Sequence, residues 1–205
     1  MPDDETKGEG ERPFDRSGTH AFLFIDHVSE TTTPEEVVGR LRERDESQVL
    51  YASTFVGDFQ AFAHLRVDEV GLEGIGKLQD LIEEIVGIGA RCRYGVETKI
   101  QPLGAKRKSP GLIVLTRIEI SPDANIAEAR DALIERAELP RGFVGISLMS
   151  GEWTVLLQTT GETIDEAHDN VRAIVAELPG VVRTSTAFAS GDRTSMRHPR
   201  GATES

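Results

Sequence analysis

One order of predicted strands and helices occurs twice in this chain, and that repetition limits the possible folds more than any other feature. Two short turns, 57–59 and 151–153, set the register of the repeat, because 151 − 57 = 94 and 153 − 59 = 94. Each turn joins two apolar runs through a glycine, which is typical of a β-hairpin. Each half therefore predicts the order β-α-β-β-α-β, the ferredoxin-like unit.

Helix signals lie at corresponding places in the two halves. Thr33 precedes Pro34 and Glu36, and Thr163 precedes Glu166, so both threonines fit the N-cap of a capping box. Apolar residues then follow at helical spacing in both halves. The chain therefore divides into a disordered tail (1–18), a first ferredoxin-like repeat (19–99), a linker (100–111), a second repeat (112–189) and a second disordered tail (190–205).

The strand after each turn predicts how the two halves pack. Alternation in the first half places Phe59 with Ala61 on an apolar face, under the helices, and Phe62 on the opposite face. The second half in the same way separates Trp153 from Leu156. The opposite face is too apolar to remain in water. The sequence therefore predicts an α+β fold in which two ferredoxin-like repeats pack sheet to sheet, as a sandwich or an α/β barrel.

Composition narrows the class of protein. The net charge of −12 disfavours direct binding to nucleic acid, because an acidic surface repels phosphates. No apolar run reaches the roughly 18 residues of a membrane-spanning helix, and a single cysteine excludes an internal disulfide. These features predict a cytoplasmic protein with no membrane partner.

Motifs in the second half resemble a known family. The residues Ser150-Gly151-Glu152-Trp153, then Leu156-Leu157-Gln158, then the segment 178–186 are similar to the effector-binding (RAM) domain of the Lrp/AsnC transcription regulators. The first half is similar more weakly, through residues 56–59. The resemblance implies the same β-α-β-β-α-β order, pairing through the sheets and a ligand pocket formed partly by the hairpin.

The sequence departs from the family at two points. The usual Asp after the aromatic is Gln60 in one half and Thr154 in the other, which argues against the usual amino-acid effectors. The helix-turn-helix of the family is absent from the sequence.

The turns are the candidate ligand site. A glycine lets a ligand approach the backbone, a neighbouring carboxylate can accept hydrogen bonds from an ammonium group, and an aromatic ring supplies an apolar wall. An ordinary hairpin would also explain each turn taken alone. The predicted ligand-binding residues are Gly57, Asp58, Phe59, Gly151, Glu152, Trp153, Thr184 and Thr186.

The favoured function is a stand-alone, Lrp/AsnC-like module that senses a small, amino-acid-like metabolite or contacts a partner protein. That partner could be a DNA-binding protein. Edge strands of two open sheets, together with the assembly of the family, predict a homo-oligomer.

Two alternatives stay open. The first is a small dimeric α/β-barrel enzyme with haem-dependent or cofactor-free oxidative chemistry, in which His64 and Arg66 form an interior site. The second is a structural subunit without a ligand. No nucleophile-elbow, phosphate-loop or zinc-spacing motif occurs, so the sequence predicts no catalytic residue, no cofactor and no metal site. Arg117, Glu119 and Arg183 are interpreted as ion pairs that fix strand register.

Overall fold

Both halves of the chain fold in the predicted order. The computed structural model describes residues 18–44, 48–86, 90–101, 112–137, 143–176 and 178–189. The elements are β1 (Thr19–Val28), α1 (Pro34–Arg42), β2 (Val49–Gly57), β3 (Ala61–Val67), α2 (Gly71–Val86), β4 (Ala90–Gln101), β5 (Leu112–Ile120), α3 (Ile126–Ala137), β6 (Phe143–Gly151), β7 (Val155–Gly161), α4 (Ile164–Val175) and β8 (Val181–Ala189).

The eight strands close into one barrel. Their order around it is β1-β3-β2-β8-β5-β7-β6-β4, and neighbouring strands are antiparallel. Each repeat supplies a four-stranded sheet, and the sheets join through β2–β8 and β4–β6. The predicted fold class is confirmed, and the closed barrel rather than the sandwich is its form. The prediction of a homo-oligomer depended on unpaired strand edges. Closure of the barrel pairs these edges, so that reason is wrong. The homo-oligomer itself stays a prediction.

Capping geometry confirms both predicted helix starts. The hydroxyl of Thr33 accepts a hydrogen bond from the backbone N–H of Glu36, whose carboxylate accepts one from the Thr33 N–H. Thr163 accepts the equivalent bond from the N–H of Glu166. These bonds satisfy backbone donors that have no partner within the helix.

The helices lie outside the barrel, and an aromatic cluster fills its interior. Leu23, Leu65 and Ile82 belong to the core between the first sheet and its helices. Phe59 and Trp153 instead pack inside the barrel, so their predicted place under the helices is wrong. Strands β3 and β7 begin two residues later, which frees both aromatic residues from the alternation of the strand. The interior cluster consists of Phe22, Phe24, Phe55, Phe59, Phe62, Leu115, Met149, Trp153, Leu156 and Ala187.

The first and last described strands lie within the two predicted repeats. Strand β1 begins at Thr19 and β8 ends at Ala189, while β4 continues to Gln101, into the predicted linker. The two predicted tails, apart from Gly18, and the rest of the linker lie outside the described residues. Within the described ranges, no helix is long and apolar enough to cross a membrane.

Candidate functional site

Both predicted turns lie at the same end of the barrel. The N–H of Gln60 donates to the Ile25 carbonyl at 2.8 Å, and the N–H of Thr154 donates to the Ile118 carbonyl at 2.9 Å. The same bond thus ties each turn to the end of the first strand of its repeat. Ionic contacts between Asp26 and Arg117 show that these strand ends face each other across the barrel.

The glycines of the two turns lie at the seams between the repeats. Gly57 pairs with Ala187 across β2 and β8, and Gly151 pairs with Gly95 across β4 and β6. Gly57 has φ +140°, and a Cβ on it would lie 2.5 Å from the carbonyl oxygen of Thr186. The glycine is therefore needed for the close approach of two strands, independently of any ligand.

A pocket of about 430 Å³ opens between the turns. This volume lies within the range of small-molecule sites in proteins, about 300–1,000 Å³. Four guanidinium groups contribute to its wall, against two carboxylates, in a chain whose net charge is −12. The residues that line this arginine pocket are Asp26, His27, Asp58, Arg91, Arg93, Arg117, Trp153, Arg183, Thr184 and Ser185.

A chain of ion pairs, in which arginines and carboxylates alternate, runs along the pocket from the barrel interior to the surface. Asp26 binds Arg117 and Arg93, each at 2.9 Å. Glu152 binds Arg93 and also Arg183, the latter at 2.7 Å. The exposed fraction of the side chains rises along this sequence, from 3% at Arg117 through 31% at Arg93 to 44% at Arg183. The inner pairs are therefore structural, whereas the outer, paired guanidiniums are exposed to solvent.

Arg91 adds a further positive charge to the pocket. It lies on β4 and its side chain is exposed. Among the described residues it has no ion pair, so its charge is available to an anion. Arg93 and Arg183, by contrast, already have partners within the protein.

Aromatic rings surround the innermost arginine. The guanidinium carbon of Arg117 lies 4.9 Å from the ring centroid of Phe24, 4.8 Å from that of Phe59 and 4.5 Å from that of Trp153. Its two donors to the Ser185 hydroxyl and its contact with Asp26 satisfy the buried charge. Burial lowers the pKa of Arg117, and the Asp26 carboxylate opposes that shift.

Three of the predicted ligand-binding residues, Asp58, Trp153 and Thr184, line the pocket. Asp58 also accepts a hydrogen bond from the Thr186 N–H at 2.8 Å. Phe59 is fully buried among other rings, and the Thr186 hydroxyl bonds that of Thr116, so neither of these predicted residues lines the pocket.

Glu152 was expected to face an ammonium group, but its carboxylate binds two guanidiniums instead. Its partners, Arg93 and Arg183, come from β4 and β8, which belong to different repeats. A single carboxylate, which does not itself line the pocket, therefore bridges two arginines of its wall. The same geometry suits a carboxylate that belongs to a ligand.

The residues that replace the usual family Asp have structural partners. The side-chain carbonyl of Gln60 accepts a hydrogen bond from the Val28 N–H at 3.1 Å, and the Thr154 hydroxyl accepts one from the Ile120 N–H at 3.2 Å. Both side chains thus satisfy a backbone donor at the end of the first strand of their repeat.

The alternative interior site lies at the other end of the barrel. Nε2 of His64 is 3.0 Å from Nδ1 of His20, and the Phe22 ring lies 4.8 Å from that of His64. Burial, and secondarily the charge of His20, lower the pKa of His64 to about 3, so its imidazole is neutral. Arg66 binds Asp68 at 2.7 Å. His20 and Asp26 are six residues apart in β1, so this cluster is about 20 Å from the arginine pocket.

The fold resembles two solved enzyme structures. The siroheme decarboxylase NirDL, in co-complex with an iron-uroporphyrin III analogue, aligns at a TM-score of 0.56 and 12% identity, over 84% of this chain and 71% of NirDL. A mutant chlorite dismutase from Candidatus Nitrospira defluvii aligns at a TM-score of 0.55 and 14% identity, over 85% of this chain and 92% of that one. No protein-family model and no curated protein matches the sequence.

At these identities the likeness shows the fold alone. The names of the two structures are those of enzymes rather than transcription regulators, and they give no support to the expected DNA-binding partner.

Sequence reasoning missed part of the pocket. It interpreted Arg117 and Arg183 as register-fixing ion pairs and did not select Asp26, His27 or Arg91. A signal was present: Asp26 and His27 directly follow a buried apolar strand, at the strand end that the turns also approach. The clustering itself depends on strand order around the barrel, which local sequence does not reveal.

Proposed function

We propose that this protein is a small α/β-barrel enzyme that binds a polycarboxylate with a flat, unsaturated body, such as a tetrapyrrole, in the arginine pocket. The observation that carries the proposal is the bridge from Glu152 to Arg93 and Arg183. The two guanidiniums hold one carboxylate, that of Glu152, between them, beside the exposed charge of Arg91. The name of the NirDL complex supplies an example of such a ligand in a similar fold.

Trp153 offers such a ligand a hydrogen-bond donor rather than a free ring face, because its side chain is only 2% exposed. Its ring lines the pocket, and Arg183 lies 4.3 Å from the ring centroid. The indole N–H is buried and has no hydrogen-bond partner among the described residues. An acceptor atom on a ligand would satisfy that donor, which otherwise costs free energy.

The residues present fit the carboxylates of a tetrapyrrole better than they fit a bound iron. An iron porphyrin supplies redox or Lewis-acid chemistry when it has an axial ligand. His27 is the imidazole that lines the pocket, whereas His20 and His64 lie at the opposite end of the barrel. The arrangement therefore gives no support to a haem on His64 in this pocket.

His27 and the two pocket carboxylates are the groups that can exchange a proton with a ligand. Asp26 is committed to two arginines, while Asp58 bonds a backbone N–H. We therefore assign proton transfer in this pocket to His27, with the arginines holding the ligand carboxylates.

A thermal-shift series tests the proposal. Metal-free porphyrins with two, four and eight carboxylates share one ring, and a tetracationic porphyrin is the matched control. A ligand that binds only the folded state raises the melting temperature. We expect the shift to grow with the number of carboxylates and to be absent for the cation; equal shifts throughout would contradict the proposal.

A second candidate, the sensing of a metabolite by an Lrp/AsnC-like module, shares this pocket. The placement of Asp58, Trp153 and Thr184 in its wall favours it. The two candidates differ in what happens to the ligand. An enzyme changes the mass of the porphyrin during incubation, as judged by mass spectrometry, whereas a sensor returns it unchanged.

A further inference from the structure

We propose that His20, His64 and Glu97 form a binding site for a divalent transition-metal ion, such as Zn²⁺ or Fe²⁺, inside the barrel. The three residues come from β1, β3 and β4, which are adjacent in the sheet. One donor atom from each lies within 4.8 Å of the other two. The site is independent of the arginine pocket, from which strand length separates it by about 20 Å.

The spacing of the two imidazoles matches shared coordination. Nδ1 of His20 and Nε2 of His64 are 3.0 Å apart. With metal–nitrogen distances of about 2.0–2.1 Å, two ligands lie about 2.9 Å apart at a right angle and about 3.4 Å apart at the tetrahedral angle. The observed separation falls between these values, so both rings can bind one ion with little movement.

The donor set has a defined chemistry. Two imidazoles and one carboxylate are the ligands of a class of catalytic zinc sites and of non-haem iron sites, which keep positions open for water or substrate. The Glu97 carboxylate offsets part of the charge of the ion.

Rigid packing holds the rings of the site. The Phe22 ring lies 4.8 Å from that of His64 and stacks on Phe62 at 5.9 Å. The donor atom of Glu97 lies within 4.8 Å of those of both histidines, so the carboxylate must approach the rings for one ion to bind all three. Arg66 is the neighbouring cation, opposite His20 in the register of β1 and β3, and its bond to Asp68 at 2.7 Å partly neutralises it.

A hydrogen-bonded histidine pair without a metal would show the same nitrogen separation, and direct metal titration separates the two cases. The full chain is stripped with chelator, then titrated with Zn²⁺ by calorimetry and with Co²⁺ by visible absorption. The variants are His64→Gln and Glu97→Gln, and the matched control is His168→Gln, which changes an exposed histidine on α4.

We expect one equivalent of metal to bind the wild type and the control, with a rise in melting temperature. Removal of a ligand should weaken binding at least tenfold, and circular dichroism should show that each variant keeps its fold. If His64→Gln does not fold, Glu97→Gln carries the test. No saturable binding by the wild type, or the same affinity in Glu97→Gln, overturns the proposal. Neither outcome bears on the arginine pocket.

Discussion

The guanidinium of Arg117 lies over the ring of Trp153, 4.5 Å from its centroid, and Arg183 lies 4.3 Å from the same ring. Trp153 thus contacts the innermost and one of the outermost arginines of the pocket. Arg117 is 3% exposed and Arg183 is 44% exposed. The single tryptophan of the chain therefore links the barrel interior to the surface that a ligand would meet.

Replacing Arg117 with Met should destabilise the fold. The change leaves the Ser185 hydroxyl and Oδ1 of Asp26 without the guanidinium that donates to them. Loss of one member of a buried pair costs about 3–5 kcal/mol, and the remaining bond from Arg93 to Asp26 reduces this to about 2–3 kcal/mol. Urea denaturation measures the free energy of unfolding.

The control for this variant is Arg130→Met. Arg130 pairs with the adjacent Asp131 at the surface, and such pairs contribute at most about 1 kcal/mol. Equal losses for the two arginines would show that Arg117 has no special structural role.

The glycine at the first turn should not tolerate a side chain. Gly57→Ala places a Cβ 2.5 Å from the Thr186 carbonyl oxygen at φ +140°, so we expect a loss of about 1–3 kcal/mol in the free energy of unfolding. Gly76 in α2 has open space around it, and alanine there should stabilise the helix by up to about 1 kcal/mol. Thermal denaturation of both variants should therefore give shifts of opposite sign.

His64 should make the metal-free protein less stable in acid. Its pKa is lowered to about 3 in the folded state, so between pH 6.5 and 3 the unfolded chain binds a proton that the folded chain does not. Stability from this group is present above pH 6.5 and is lost as the pH falls, by about 2 kcal/mol between pH 7 and pH 5.

Urea denaturation at pH 7 and pH 5, with chelator present, measures this loss. The variant His64→Gln has no imidazole at this position. Its free energy of unfolding should therefore decrease between pH 7 and pH 5 by about 2 kcal/mol less than that of the wild type. A parallel pH dependence in wild type and variant would mean that His64 titrates normally in the folded protein.

The sequence predicted the fold more completely than the site because fold signals are local and repeated. The cap at Thr33 and the turns at Gly57 and Gly151 depend on residues within a few positions of each other, and all are present in the structure. The errors at Phe59 and Trp153 arose where strand alternation was extended by two residues across a turn. Whether the sheets would form a sandwich or a barrel depended on pairing between distant edges.

The site could be predicted only in part because its charges come from both repeats. Asp58 and Trp153 lie in recognisable turns, and the structure places both in the pocket wall. Arg93 and Arg183 carry no local signal, since they become neighbours only when Glu152 bridges them across the closed barrel.

If the arginine pocket binds carboxylates, substitutions of Glu152 and Arg183 should change the affinity for such a ligand in opposite directions. Arg183→Gln removes a guanidinium that the ligand needs, whereas Glu152→Gln removes an internal carboxylate that occupies two guanidiniums. Charge-assisted hydrogen bonds of this kind are worth about 1.5–3 kcal/mol, or roughly tenfold or more in affinity.

The deciding measurement is a fluorescence titration of metal-free uroporphyrin III with the wild type and these two variants, since the probe needs no axial ligand. The account predicts that Arg183→Gln weakens binding about tenfold and that Glu152→Gln strengthens it by about three- to tenfold. Circular dichroism verifies that both variants are folded. Weaker binding in Glu152→Gln, together with unchanged binding in Arg183→Gln, would contradict a carboxylate pocket and favour a cationic ligand.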